Sequence, residues 1–162
     1  MAMENLRMEK PSSPKERLLE MEKSGLYVFH GSPQLLDNLS PKQATGYDEE
    51  KDIHFNDGEE AVVSSQYAEI AIFRALTHQS QFPEGVDTHT GFGADEDGPC
   101  FRANKAVIDG VKNNSGYVYV FKKDDFTPYK EIEYRTNKDV TPLEIIRVTA
   151  EDLPSNIEIS KD

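Results

Sequence analysis

The stretch Leu26-Tyr27-Val28-Phe29-His30-Gly31-Ser32-Pro33 is where the fold of this chain becomes readable. Aromatic and β-branched residues favour an extended backbone, and Gly31-Ser32-Pro33 then breaks it abruptly. A compact strand therefore ends on a histidine and a turn. Upstream, Ser13-Pro14-Lys15-Glu16 has the form of a helix start: Ser13 can cap, Pro14 suits the first helical position, and Glu16 can reach back. Leu18, Leu19 and Met21 give that helix a partial apolar face, and Ser24-Gly25 ends it.

Downstream, residues 34–60 mix Asp, Asn, Gly and Pro and predict a long irregular surface excursion. Glu60 to Ser65 predicts a second short strand, whose serines cap a helix over 66–78. There Ala68, Ala71, Ile72, Ala75 and Leu76 recur at three and four, the spacing of a buried stripe. Residues 79–100 read as loop, and 101–112 as a weaker helix ended by Asn113-Asn114. Three strands are expected after that, over 116–121, 131–135 and 143–148, followed by a turn from Ala150 to Leu153 that Pro154 stops. Helices and strands arranged this way favour an α+β class over a doubly wound sheet. The expected organisation is a loose leader at 1–12, one globular domain over 13–154 and a tail at 155–162.

Composition narrows the function. The 162 residues carry 18 Lys and Arg against 30 Asp and Glu, a net charge of −12. Such a surface repels polyanions, so binding of nucleic acid along a basic face is disfavoured. It suits either a solubilising surface with its basic groups confined to a site, or a non-catalytic interaction protein that engages a basic partner. A single Cys100 excludes an internal disulfide and a multi-cysteine metal site. No apolar run approaches a membrane span, and residues 1–10 are not a signal peptide, so the expected home is the cytoplasm.

Three places are able to carry chemistry. At His30-Gly31-Ser32 a glycine lets a ligand approach the backbone, and an imidazole and a hydroxyl stand on either side of it; the same tripeptide is also an ordinary strand-ending turn. Ser64 and Ser65, at a strand-to-helix turn, would cap the helix while its free N–H groups face an anion or carboxamide. Glu131 and Glu133 alternate onto one strand face with Arg135, as paired surface charges or as a carboxylate that stabilises positive charge on an anomeric carbon. His54, His78 and His89 lack metal-like spacing and read as incidental.

In order, these pieces resemble the ADP-ribosyltransferase superfamily. Tyr27 to Pro33 is similar to its first motif, a strand ending in His-Gly-(Ser/Thr). Ala61 to Gln66 with the helix after it is similar to the second, and Glu131-Ile132-Glu133-Tyr134 to the third, a late strand carrying a glutamate. The resemblance implies a split two-sheet α+β core with a few peripheral helices, and NAD bound as a substrate in its central cleft. His30 would then contact a ribose, with the Gly31 backbone on the nicotinamide amide and Ser32 beside it. Glu133 would be the catalytic carboxylate, Glu131 its neighbour in the pair, and Tyr67 the stacking group. The partner would be a nucleotide, with a protein acceptor of unstated identity. The same fold serves RNA 2′-phosphotransferases, which need several basic residues for a phosphate.

Overall fold

Ser13 opens the first helix as its neighbours predict: its hydroxyl accepts the Glu16 N–H at 3.1 Å, and Gly25 closes the helix at φ 73°. A computed structural model describes residues 13–48 and 50–161, so the expected leader lies outside the described residues. In chain order the elements are α1 (Pro14–Ser24), β1 (Tyr27–Ser32), β2 (Thr45–Asp48), β3 (Ile53–Asn56), β4 (Val62–Ser64) and α2 (Ala68–Thr77). There follow β5 (Thr90–Asp95), β6 (Gly98–Asn104), α3 (Lys105–Gly110) and β7 (Ser115–Lys122). The chain ends with β8 (Thr127–Tyr129), β9 (Glu133–Thr136), β10 (Glu144–Thr149) and β11 (Ile157–Ser160). The class is α+β.

Two antiparallel sheets carry the centre. In the first, β7 runs between β1 and β10; in the second, β9 runs between β4 and β8. They meet at one bridge, where Phe29 and Ser65 exchange backbone hydrogen bonds of 2.8 and 2.9 Å. Strands β5 and β6 form a hairpin that β11 extends in parallel, and β2 and β3 form a separate hairpin.

Alternation along β1 decides which residues become core and which face the bridge region. Phe29 packs with Val118 and Val120 beneath α2, whereas Val28 packs with Tyr119 and Phe121 on the opposite face. With both faces covered, β7 needs a continuous apolar run, and each buried Val or Phe contributes about 1.5–3 kcal/mol. Helix α2 buries every residue except Glu69 and Arg74. It comes close because the strands offer glycine beneath it: a Cβ on Gly31 would stand 1.9 Å from the Ala71 carbonyl oxygen, and one on Gly116 would stand 2.9 Å from Ala75.

Several expectations are corrected by pairing partners distant in sequence. The segment 34–60 holds the β2–β3 hairpin, and 79–100 holds β5 and the start of β6. The helix expected over 101–112 begins only at Lys105 and runs through α3 into a 3-10 turn over Val111–Asn113, because Phe101 and Ala103 alternate with exposed Cys100 and Arg102 in a strand. Asn104 then caps α3 by accepting the Val107 N–H at 3.3 Å. Residues 157–160, expected in a tail, form β11 against β6. The strand expected over 131–135 begins only at Glu133, after a turn in which Lys130 takes φ 56°. No helix among the described residues is long and apolar enough to cross a membrane.

Candidate functional site

His30 is placed by β1 opposite Tyr119 of β7, and the two rings meet edge to face with centroids 5.9 Å apart. Its Nδ1 atom lies 2.6 Å from the Val63 carbonyl oxygen. A carbonyl only accepts, so Nδ1 carries the hydrogen and Nε2 presents a lone pair. Burial lowers the His30 pKa to about 4; the Val63 hydrogen bond opposes that shift, and the charges of Arg74 and Lys42 add to it. The imidazole is thus neutral at physiological pH, and Nε2 accepts hydrogen bonds instead of donating them. Among the described residues Nε2 has no hydrogen-bond partner.

The ring lines a cleft of about 620 Å³ together with Ser32, Lys42, Val63, Arg74 and His78. That volume falls in the usual range for small-molecule sites. One wall is the chain after β1, which the Tyr119 hydroxyl pins by donating to the Gln34 carbonyl at 2.5 Å and accepting the Leu36 N–H at 2.7 Å. Backbone bridges from Leu39 to Val140 and from Lys42 to Ala61 hold the rest of that wall. Ser32 accepts the Gln34 N–H at 3.1 Å and so shapes the turn.

Lys42 and Arg74 have no hydrogen bond or ion pair from their side chains among the described residues. Most other lysines and arginines among the described residues likewise carry no ion pair, so what sets these two apart is that they line one cleft with His30. Solvent reaches Arg74, yet protein crowds its guanidinium, and this desolvation lowers its pKa while the Glu133 carboxylate raises it. The guanidinium also lies 5.4 Å from the Phe92 ring centroid. Phe92 lines an adjoining groove with Lys130, Glu131, Ile132 and Glu133. Arg74 thus lines the His30 cleft and at the same time sits beside Phe92 of the groove that Glu133 lines.

Of the residues expected to form a site, His30, Gly31 and Ser32 share the cleft, although Gly31 is needed above all for the close approach of α2. Glu133 and Glu131 share the adjoining groove, with Glu131 exposed on the turn before β9. Ser64, Ser65 and Tyr67 are turned to the fold. The Ser64 hydroxyl donates to the Tyr134 carbonyl at 2.9 Å, and the Ser65 hydroxyl accepts the Tyr67 N–H at 3.1 Å. Tyr67, at the start of α2, is partly buried and packs against the core, and it lines neither the His30 cleft nor the Glu133 groove. Neither serine caps α2 in the expected manner; Glu22 of α1 takes the Ala68 N–H at 2.7 Å instead.

Lys42, Arg74 and His78 were not legible as site residues. Arg74 had one signal, a cation off the apolar stripe of its helix, but only the cleft gives it meaning. A second space of about 630 Å³ lies by Gly58, Tyr129 and Arg135. Its arginine is saturated by Asp57 and Glu133, which leaves less to recruit a ligand there. No protein-family model, curated protein or solved structure matches this chain.

Proposed function

We propose that this chain is an ADP-ribosyltransferase-like domain that binds NAD or a related nucleotide and transfers ADP-ribose to an acceptor. The observation that carries the reading is the cleft that Lys42 and Arg74 share with His30, with Arg74 also beside Phe92 of the groove that Glu133 lines. Lys42 and Arg74 suit the charge of a pyrophosphate. Neutral His30 suits a ribose hydroxyl, which would donate to Nε2. Glu133 accepts both Arg135 bonds on Oε1, so its Oε2 is open among the described residues to a second hydroxyl.

In the reaction, the bond from the ribose anomeric carbon to nicotinamide breaks and its electron pair leaves with nicotinamide. A lone pair of the acceptor forms the new bond at that carbon, and the acceptor loses a proton. Positive charge grows on the ribose between these events, and a fixed carboxylate at Glu133 stabilises it. The expected stacking by Tyr67 has no part in this scheme.

The same two cations favour a second reading, an RNA 2′-phosphate in the cleft, since they supply the basic groups that such chemistry needs. One experiment separates the readings. NAD at millimolar concentration should raise the melting temperature, by an amount equivalent to about 2.7 kcal/mol at one hundred times Kd, and nicotinamide should be released. A response to 2′-phosphorylated RNA alone selects the second reading. Indifference to both ligands, with salt-sensitive capture of a basic protein, would favour a non-catalytic acidic interaction module.

A further inference from the structure

Arg135 is almost completely buried, at 7% exposure, and among the described residues only Asp152 is a charged side chain buried as deeply. Its guanidinium is held on every side. Nε and Nη2 donate to Glu133 Oε1 at 3.0 and 2.7 Å, Nη1 donates to the Asp57 carbonyl at 2.6 Å, and Nη2 reaches Asp57 Oδ2 at 3.3 Å. The Tyr129 ring lies beneath it with its centroid 3.7 Å away. Asp57 is fixed in turn by the Tyr129 hydroxyl at 3.0 Å and Lys130 Nζ at 2.8 Å. Even Gly58, at φ 81°, conforms to this group, since a Cβ there would stand 2.8 Å from Arg135 Nη1.

We propose that Arg135 is the positioning residue for Glu133, holding one carboxylate oxygen in two converging hydrogen bonds so that the other stays presented to the groove beside Arg74. The proposal rests on the nucleotide reading for the use of Glu133, but not for its orientation. Fork geometry is the reason for arginine: a lysine ammonium could keep the charge near Asp57 without fixing a carboxylate from two donors. Register supplies the rest. Glu133 and Arg135 sit two residues apart on β9 and so share one face, and Val63, whose carbonyl orients His30, is opposite Arg135 on β4. One antiparallel pair thereby sets both the imidazole and the carboxylate.

The test compares R135K with D57N, which weakens the loop end of the same cluster and leaves both Glu133 bonds in place. In R135K, nicotinamide release per folded molecule should fall about tenfold while the NAD Kd changes by less than about threefold. Guanidinium added to R135A should restore part of the rate, as a merely structural defect would not. D57N should lower the melting temperature and leave turnover within about twofold of wild type. Crystal structures supply the readout independent of activity: the Glu133 carboxylate should hold one orientation in wild type and D57N and lose it in R135K. Equal losses of turnover in R135K and D57N, or an unmoved Glu133 in R135K, would overturn the proposal. If wild type turns over no NAD, the nucleotide reading falls, and the orientation of Glu133 in R135K alone decides for or against Arg135.

Discussion

The imidazole of His30 and the backbone carbonyl of Val63 are joined by a hydrogen bond of 2.6 Å across the junction of the two central sheets. That bond makes Nδ1 the donor and leaves Nε2 an acceptor in the cleft. A sugar hydroxyl entering the cleft would therefore donate to the imidazole rather than accept from it.

A pH dependence follows with a definite sign. The folded-state pKa of His30 is about 4, against 6.5 for the ordinary group. Between those values the unfolded chain takes up a proton that the folded chain refuses. Stability present above pH 6.5 is therefore lost as pH falls, and the loss levels off below about pH 4. The contribution is at most about 3 kcal/mol. Urea midpoints measured from pH 7.5 to 4 should fall for wild type and fall less for H30Q.

Arg74 should matter to ligand and hardly at all to folding. R74Q removes a guanidinium that has no ion pair among the described residues and loses only its contact with the Phe92 ring, so stability should change by less than about 1 kcal/mol. Nucleotide affinity should drop about tenfold, with a weaker dependence on salt than in wild type. Calorimetric titration at two ionic strengths measures both. A normal Kd in R74Q would exclude Arg74 from the site.

Gly31 is required by packing. In G31A the new methyl would collide with the Ala71 carbonyl at 1.9 Å, backbone against backbone, and neither β1 nor α2 can yield cheaply. A loss of about 3 kcal/mol is expected, at the upper end for overpacked cores. Gly93 is the control, since a Cβ there meets only Cys100 Sγ at 3.8 Å. Chemical denaturation of G31A and G93A should separate them clearly.

The Glu22 carboxylate caps a helix other than its own, accepting the Ala68 N–H at 2.7 Å. Burial raises its pKa, and the hydrogen bond from Ala68 works against that shift. E22A leaves this N–H of the first turn without its acceptor and should cost about 1 kcal/mol. Thermal unfolding of E22A and E22Q gives the value; wild-type stability in E22A would mean that the cap contributes nothing.

Elements whose signal is local could be read directly. Ser13, Pro14 and Gly25 mark the ends of α1, aromatic and β-branched residues mark β1 and β7, and apolar spacing marks α2, because caps and periodicity depend only on nearby residues. The α+β class follows from their order. Strands β5, β6 and β11 were missed because Gly91, Gly93 and Gly98 weaken any local strand preference, and only pairing between Ile157 and Phe101 makes the edge of that sheet.

By itself, the sequence determined which residues could be chemical: a histidine before a glycine at a strand end, and a glutamate two residues from an arginine in a late strand. Tertiary structure decided their use. It turned Ser64, Ser65 and Tyr67 to the fold, set Lys42 and Arg74 without ion pairs among the described residues beside His30, and tied Glu133 to Arg135. The physical reason is that hydrogen-bond direction and desolvation belong to the surroundings of a group. The surroundings of His30 are built from Val63, 33 residues away, and from a helix beyond it.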